Sequence, residues 1–246
     1  MNTLKPKKGY KRGYPVAILA GLEETHAVLW KVFSKVVKPE KTLDIDGTRN
    51  NPKALYNFHE SIITALRPTL KEGVRSIILV SPARTNYAQE FINHVRQHHA
   101  WLTQGPNKAT FSEITGTASS PSQVAALTRT SEFHELISQT TSEETENLLD
   151  LLEKRLNTSN RGDAVLFSLE EAETLILNRQ KTSEPKAEYL LLTDKYLAAT
   201  HQKNRVHRLM QIATNKHVKT RIVNAESPAG KRITQLGGIV CIAQLE

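Results

Sequence analysis

The segments YLLLT at Tyr189–Thr193 and VKTRIVNAESPAGKRITQLGGIVCIAQL at Val218–Leu245 decide the fold. YLLLT is a short, continuous apolar run, which is typical of a strand that is buried on both faces. The longer segment predicts a strand at Thr220–Val223, a turn, a short helix and a final strand at Gly238–Leu245. Strands separated by helices at this spacing indicate layers of helices packed on a sheet.

The first half of the chain alternates in the same way. His26–Val37 contains the apolar run AVLWKVFSKVV, in which the alternation of Val28, Trp30 and Val32 favours a strand that pairs with the strand before it over a helix. Ser76–Val80 (SIILV) is a continuous apolar run and predicts a parallel strand covered on both faces. The other elements predicted here are strands at Tyr14–Leu22, His26–Val37 and Thr110–Thr117, a loop at Pro39–Pro52, and helices at Pro52–Leu70, Asn86–His99 and Pro121–Ser138.

A polar run of Thr and Ser at Gln139–Ser142 predicts a hinge. Beyond it we expect a helix at Ser142–Asn157 that Ser142 caps, a strand at Val165–Phe167, and helices at Leu169–Asn178 and His201–Asn215. The predicted fold class is therefore α/β, with two consecutive α/β sandwich domains preceded by a basic tail. The predicted boundaries are 1–13 for the tail, 14–138 for the central domain and 139–246 for the C-terminal domain.

Charge predicts a polyanionic partner. The 246 residues include 33 Lys and Arg against 25 Asp and Glu, so the formal net charge is +8, and nucleic acid is the usual partner of such a chain. Positive charge concentrates at Met1–Arg12 and at His201–Arg232, whereas Ser131–Leu190 carries 13 acidic and 6 basic residues. Solvated helix faces are the alternative interpretation of the acidic stretch. The predicted RNA-binding residues are Lys5, Lys7, Lys8, Lys11, Arg12, Lys203, Arg205, Arg208, Lys231 and Arg232.

The single cysteine, Cys241, excludes an internal disulfide and favours a reducing, cytoplasmic setting. The sequence has no run of about 18 apolar residues, so no membrane span is predicted.

Motifs that carry catalysis are absent from the sequence. There is no GxGxxG, GxxxxGK[ST], HExxH or GxSxG. The histidines are interpreted as dispersed, and His98 and His99 diverge on a helix, so no metal ligand is predicted. We predict no catalytic residue and no cofactor. A nuclease remains an alternative that needs a divalent ion and acids, for which Asp44, Asp46 and Glu60 are the candidates.

The same segments resemble a known family. Tyr189–Leu197 (YLLLTDKYL) and Val218–Leu245 are similar to the C-terminal domain of Pelota and of the archaeal and eukaryotic class I peptide release factors. Phe58–Val95 and Ile114–Leu127 are similar to the central domain of Pelota. The resemblance covers most of residues 14–246, and its matched positions in the closing segment are Glu226, Gly230, Leu236, Gly237, Gly238 and Ile239.

The resemblance implies a ribosome-associated translation factor. The Gly-Gly-Gln of the hydrolytic release factors is absent, so we expect a protein that does not release peptides and is not an enzyme. We also expect no counterpart of the Sm-like domain that begins Pelota, and therefore no entry into the decoding site. The family implies binding to ribosomes or ribosomal subunits, in rescue, recycling or hibernation, and docking of a translational GTPase or the ABC-type recycling ATPase. Dimerisation of ribosomal subunits is a further alternative role, and a homodimer of this chain is an alternative assembly. A free protein that binds structured RNA is another.

Overall fold

The structure, a computed structural model, describes residues 15–105, 108–158, 165–177 and 186–244. The chain divides into two compact units. Unit 1 contains residues up to Ala65 together with 76–98 and 111–138, and unit 2 contains 66–75, 99–110 and the residues from Gln139 onward. Helices surround two separate sheets, so the predicted α/β class is confirmed. The boundaries 14–138 and 139–246 stay predictions, because a compact unit is not in itself an independently folding domain.

The first sheet has five strands in the order β3-β2-β1-β4-β5. Its strands are β1 (Pro15–Leu22), β2 (His26–Phe33), β3 (Val37–Asp44), β4 (Ser76–Ser81) and β5 (Thr110–Thr115). β2 pairs antiparallel with β1, and β4 pairs parallel with β1, as the sequence predicts. Ile77, Ile78 and Leu79 are all fully buried, which confirms that β4 is covered on both faces.

The loop predicted at Pro39–Pro52 is wrong over its first half. β3 occupies Val37–Asp44 and pairs antiparallel with β2. It lies at the edge of the sheet, and most of its side chains are at least partly exposed. An edge strand needs no apolar alternation and tolerates a proline such as Pro39, so the hydrophobic pattern that predicts buried strands gives no signal for it.

The helices associated with the first half of the chain are α1 (Pro52–Lys71), α2 (Tyr87–His98), α3 (Ala100–Thr103) and α4 (Pro121–Leu127). Sequence reasoning missed α3, and it merged α4 with the next helix, α5. The two are separate because Thr128 ends α4, and the Thr130 hydroxyl accepts a hydrogen bond from the Phe133 amide at 3.2 Å.

The predicted hinge at Gln139–Ser142 is wrong, because α5 runs without a break from Ser131 to Thr158. Two polar residues in this part of the helix are buried. Thr140 is fully buried and Glu144 is 2% exposed, with its carboxylate 2.6 Å from the Arg221 guanidinium. A polar stretch that is buried by tertiary contacts has the composition of a loop, and composition alone cannot separate the two.

The second sheet has four strands in the order β6-β9-β7-β8. They are β6 (Val165–Leu166), β7 (Ala187–Thr193), β8 (Lys219–Val223) and β9 (Ile239–Ala243), joined by α6 (Leu169–Leu177), α7 (Asp194–Ala199), α8 (Lys203–Asn215) and α9 (Pro228–Gln235). β7 pairs parallel with β8 and antiparallel with β9.

Helices cover both faces of this sheet. Leu191 and Val240 pack with α5 and α9 on one face, whereas Leu190, Leu192 and Cys241 pack with α6 and α8 on the other. This alternation explains why YLLLT is apolar at every central position.

Candidate nucleic-acid interface

Helix α8 presents three of the predicted RNA-binding cations. Its residues Val206, Leu209 and Ala213 are buried against the sheet, so helical periodicity leaves the other side in solvent. Lys203, Arg205 and Arg208 are exposed there. Arg205 is engaged with Glu173 of α6, with Nε 2.8 Å from Oε1 and Nη2 2.6 Å from Oε2.

Helix α9 presents two further predicted RNA-binding cations, Lys231 and Arg232. Ser227 caps it by accepting a hydrogen bond from the Gly230 amide at 3.1 Å, and Pro228 is its first residue. A Cβ at Gly230 would lie 1.9 Å from the carbonyl oxygen of Asn224, so this turn accepts only glycine. Lys231 is exposed, and Arg232 donates from Nε to Glu153 Oε1 at 2.6 Å.

The structure does not bring these five cations together. α8 packs on one face of the second sheet and α9 on the opposite face. The sequence places all five in one basic segment, but the fold distributes them over two surfaces of unit 2. The predicted tail residues Lys5, Lys7, Lys8, Lys11 and Arg12 lie outside the described residues.

Several other cations of the basic segment His201–Arg232 have structural roles, which a count of charges does not reveal. Lys216 Nζ donates to the Ile176 carbonyl at 2.6 Å, near the carboxyl end of α6, where a cation is favourable. Lys219 and Arg155 both contact the carboxylate of Glu188, at 3.2 and 3.0 Å.

The strand β8 also carries Arg221, which is 5% exposed and pairs with buried Glu144. Of the eight cations at His201–Arg232, the described residues supply no ion-pair partner for Lys203, Arg208 and Lys231. The charges of these three side chains are therefore exposed to solvent without a neighbouring carboxylate among the described residues.

Burial also changes the proton affinity of groups in unit 2. Desolvation raises the pKa of the Tyr189 hydroxyl to about 12, and nearby Glu188 adds to this effect. Desolvation lowers the pKa of Lys219, although Glu188 acts in the opposite direction. The pKa of Cys241 rises to about 12 because the thiol is buried, which makes it a packing residue rather than a nucleophile.

Sequence reasoning missed a histidine cluster in unit 1. His59 and Glu60 on α1 meet His94 and His98 on α2. The ring centroids of His59 and His94 are 5.0 Å apart, those of His94 and His98 are 4.8 Å apart, and His94 Nε2 lies 2.9 Å from Glu60 Oε1. The interpretation of the histidines as dispersed is therefore wrong. The spacing of four residues between His94 and His98 was the available signal, since such residues share one helix face.

Comparison with known proteins gives matches among solved structures. Neither a protein-family model nor a curated protein sequence matches the chain. S. cerevisiae Dom34, a translation termination-like factor involved in RNA quality control pathways and interacting with Hbs1, is similar with a TM-score of 0.51 and 19% identity. That match covers 93% of this chain and 62% of Dom34. Archaeal Pelota, in a model of the ribosome-bound protein with ABCE1, is similar with a TM-score of 0.52 and 15% identity over 94% of this chain and 62% of Pelota.

The chain has a Pelota-like fold. It spans 62% of the length of each of these Pelota-like proteins, so the fold is the property that it shares with them. The resemblance at Tyr189–Leu197 and Val218–Leu245 thus agrees with the three-dimensional similarity. Within the described part of the chain, every helix is too short or too polar to cross a lipid bilayer.

Proposed function

We propose that this chain is a non-catalytic, Pelota-like factor that associates with the ribosome through ribosomal RNA. The observation that carries the proposal is the Pelota-like fold over more than nine tenths of the chain. Dom34 interacts with Hbs1, and archaeal Pelota is ribosome-bound with ABCE1. The net charge of +8 supports binding to a polyanion such as ribosomal RNA.

The proposed mode of action is steric, because the bound chain occupies a ribosomal site and catalyses no reaction there. In this proposal, exposed cations neutralise phosphates of ribosomal RNA and release counterions. They are Lys203 and Arg208 on one face of the second sheet and Lys231 on the other. Such contacts fix position without reading sequence. Docking of a translational GTPase or of the recycling ATPase belongs to the same proposal, as do the outcomes of rescue, recycling or subunit hibernation.

The test is sedimentation of cell extract through sucrose gradients. We expect the full chain to co-migrate with ribosomes or subunits at low salt and to dissociate as salt rises. The triple variant Lys203→Glu, Arg208→Glu, Lys231→Glu is expected to remain at the top of the gradient. The control variant Lys35→Glu, Lys53→Glu, Lys71→Glu changes the net charge equally at exposed lysines elsewhere and is expected to co-migrate.

Two results would contradict the proposal. One is a purified protein that ignores ribosomes and both subunits in dilute buffer. The other is metal-dependent cleavage of RNA by the purified protein, which would instead support the nuclease alternative.

A further inference from the structure

The two tryptophans of the chain differ sharply in their exposure to solvent. Trp30 is 2% exposed, whereas Trp101, on α3 in unit 2, is 44% exposed. A single apolar side chain at the surface is common in itself, so the significance of Trp101 depends on what surrounds it. An exposed indole offers a large flat ring on which another ring can stack.

The Trp101 ring is held in a fixed orientation. Leu102, the next residue of α3, is fully buried, and its carbonyl accepts a hydrogen bond from the Ala109 amide at 2.7 Å. The Nε1–H of Trp101 donates to His99 Nδ1 at 3.3 Å. Because the backbone is anchored and the one polar group of the indole is bonded, a partner that stacks on the ring pays little conformational entropy to order it.

Positive charge without a counter-charge lies next to the ring. The Arg67 guanidinium is positioned over the indole, with Cζ 5.3 Å from the ring centroid, which is a cation–π contact. Lys71 is exposed one turn further along α1, on the same helix face. Among the described residues, no carboxylate forms an ion pair with Arg67 or Lys71. An exposed aromatic ring beside unpaired cations is the combination with which proteins bind single-stranded nucleic acid.

We propose that Trp101 is a stacking platform for one unpaired nucleobase of RNA, and that Arg67 and Lys71 neutralise the adjoining phosphates. The inference rests on the proposed function for the class of its partner, and it adds a contact with a base to the phosphate contacts proposed for α8 and α9. Every base has a π face, so stacking tolerates any sequence. The bases of a duplex are already stacked, so the platform selects single strands, loops and bulges.

The first test is intrinsic fluorescence of the purified full chain, titrated with an oligoadenylate RNA of about eight nucleotides in the absence of ribosomes. We expect a stacked adenine to quench the emission of Trp101, while buried Trp30 contributes a constant background. An abasic oligomer of the same length has the same phosphates but no bases, and it is expected to leave the emission unchanged.

The second test is the affinity of variants for the same RNA, measured by fluorescence anisotropy at a series of KCl concentrations. Trp101→Ala is expected to weaken binding by at least about fivefold at every salt concentration, because a stacking contact carries no charge. Trp101→Tyr keeps an aromatic ring and is expected to retain most of the affinity. Arg67→Gln is expected to lower the slope of log affinity against log salt by about 0.7.

The matched control is Tyr56→Ala. Tyr56 is also 44% exposed, but its ring is already packed edge-on against His94 and His98. This variant is expected to bind oligoadenylate as the unaltered chain does. Circular dichroism checks that each substitution at these exposed positions preserves the fold.

The proposal is overturned by an emission that oligoadenylate does not change, by equal quenching with the abasic oligomer, or by unchanged affinity in Trp101→Ala. Co-migration with ribosomes decides the proposed function separately. A chain that sediments with ribosomes without quenching by oligoadenylate keeps that function and loses the platform. A chain that is quenched but ignores ribosomes keeps the platform and contradicts the proposed function.

Discussion

At the scale of single residues, His59 shows how burial fixes a protonation state. The side chain is 3% exposed, between Phe91 and His94. Desolvation, followed by the charges of His94 and Arg49, lowers its pKa from 6.5 to about 3. The unfolded chain therefore binds this proton at pH values where the folded chain does not.

We expect acid to destabilise the protein through His59. The stabilisation that comes from the neutral ring is complete above pH 6.5 and is lost as the pH falls toward 3, since the unfolded state binds more protons in this range. The variant His59→Phe keeps an aromatic ring and removes this proton uptake. Its melting temperature, measured by circular dichroism between pH 7 and pH 5, is expected to fall less than that of the unaltered chain.

The matched control for this measurement is His134→Phe, at an exposed position of the same unit. We expect it to follow the unaltered chain. Equal slopes of melting temperature against pH for His59→Phe and the unaltered chain would show that His59 is not the responsible group.

Contacts between residues distant in sequence were the part of the candidate sites that could not be predicted. Glu60 and His94 are 34 residues apart, and nothing in either local sequence indicates that α1 and α2 bring them together. The same holds for Arg232 and Glu153, which are 79 residues apart. Counting charges identifies the cations of the basic segment, but only the fold reveals which of them have carboxylate partners.

At the scale of elements, the continuity of helix α5 through the predicted hinge can be tested by substitution. Gln139 is exposed and lies within the Ser131–Thr158 helix, at the position where the sequence predicts a hinge. Proline in a helix interior removes a backbone hydrogen bond and clashes with the preceding turn, at a cost of about 3 kcal/mol. Gln139→Pro is therefore expected to lower the free energy of unfolding by about that amount in urea denaturation.

The control variant is Gln139→Ala, which is expected to be neutral or slightly stabilising because alanine has the highest helix propensity. A hinge at this position would instead accept proline without loss of stability.

The elements that could be predicted are those whose residues are buried in a simple pattern. β4 and β7 are covered on both faces and read as continuous apolar runs, and α1 has a single apolar stripe. β3 and the middle of α5 fall outside such patterns. The first is an exposed edge strand, and the second buries polar residues that find partners only in the folded chain.

At the scale of the whole molecule, the excess of positive charge sets how binding responds to salt. Each phosphate that a cation neutralises in single-stranded RNA contributes about 0.7 to the slope of log affinity against log salt. The predicted basic tail, Met1–Arg12, contains five cations.

We expect replacement of Lys5, Lys7, Lys8, Lys11 and Arg12 by glutamine to reduce this slope by about 3 to 4. The slope is measured by fluorescence anisotropy with a single-stranded RNA at a series of KCl concentrations. A control in which the four tail lysines become arginine keeps every charge and is expected to keep the slope. An unaltered slope in the glutamine variant would mean that the tail makes no phosphate contacts.

The position of β9 has a consequence for how the second sheet is made. β9 is synthesised after β6, β7 and β8, yet it lies between β6 and β7. During translation, β6 emerges without its hydrogen-bonding neighbour, and one edge of β7 stays open until Ala243 has left the exit tunnel. We therefore expect nascent chains that stop short of β9 to expose apolar strand edges, which favour pairing with other chains and aggregation.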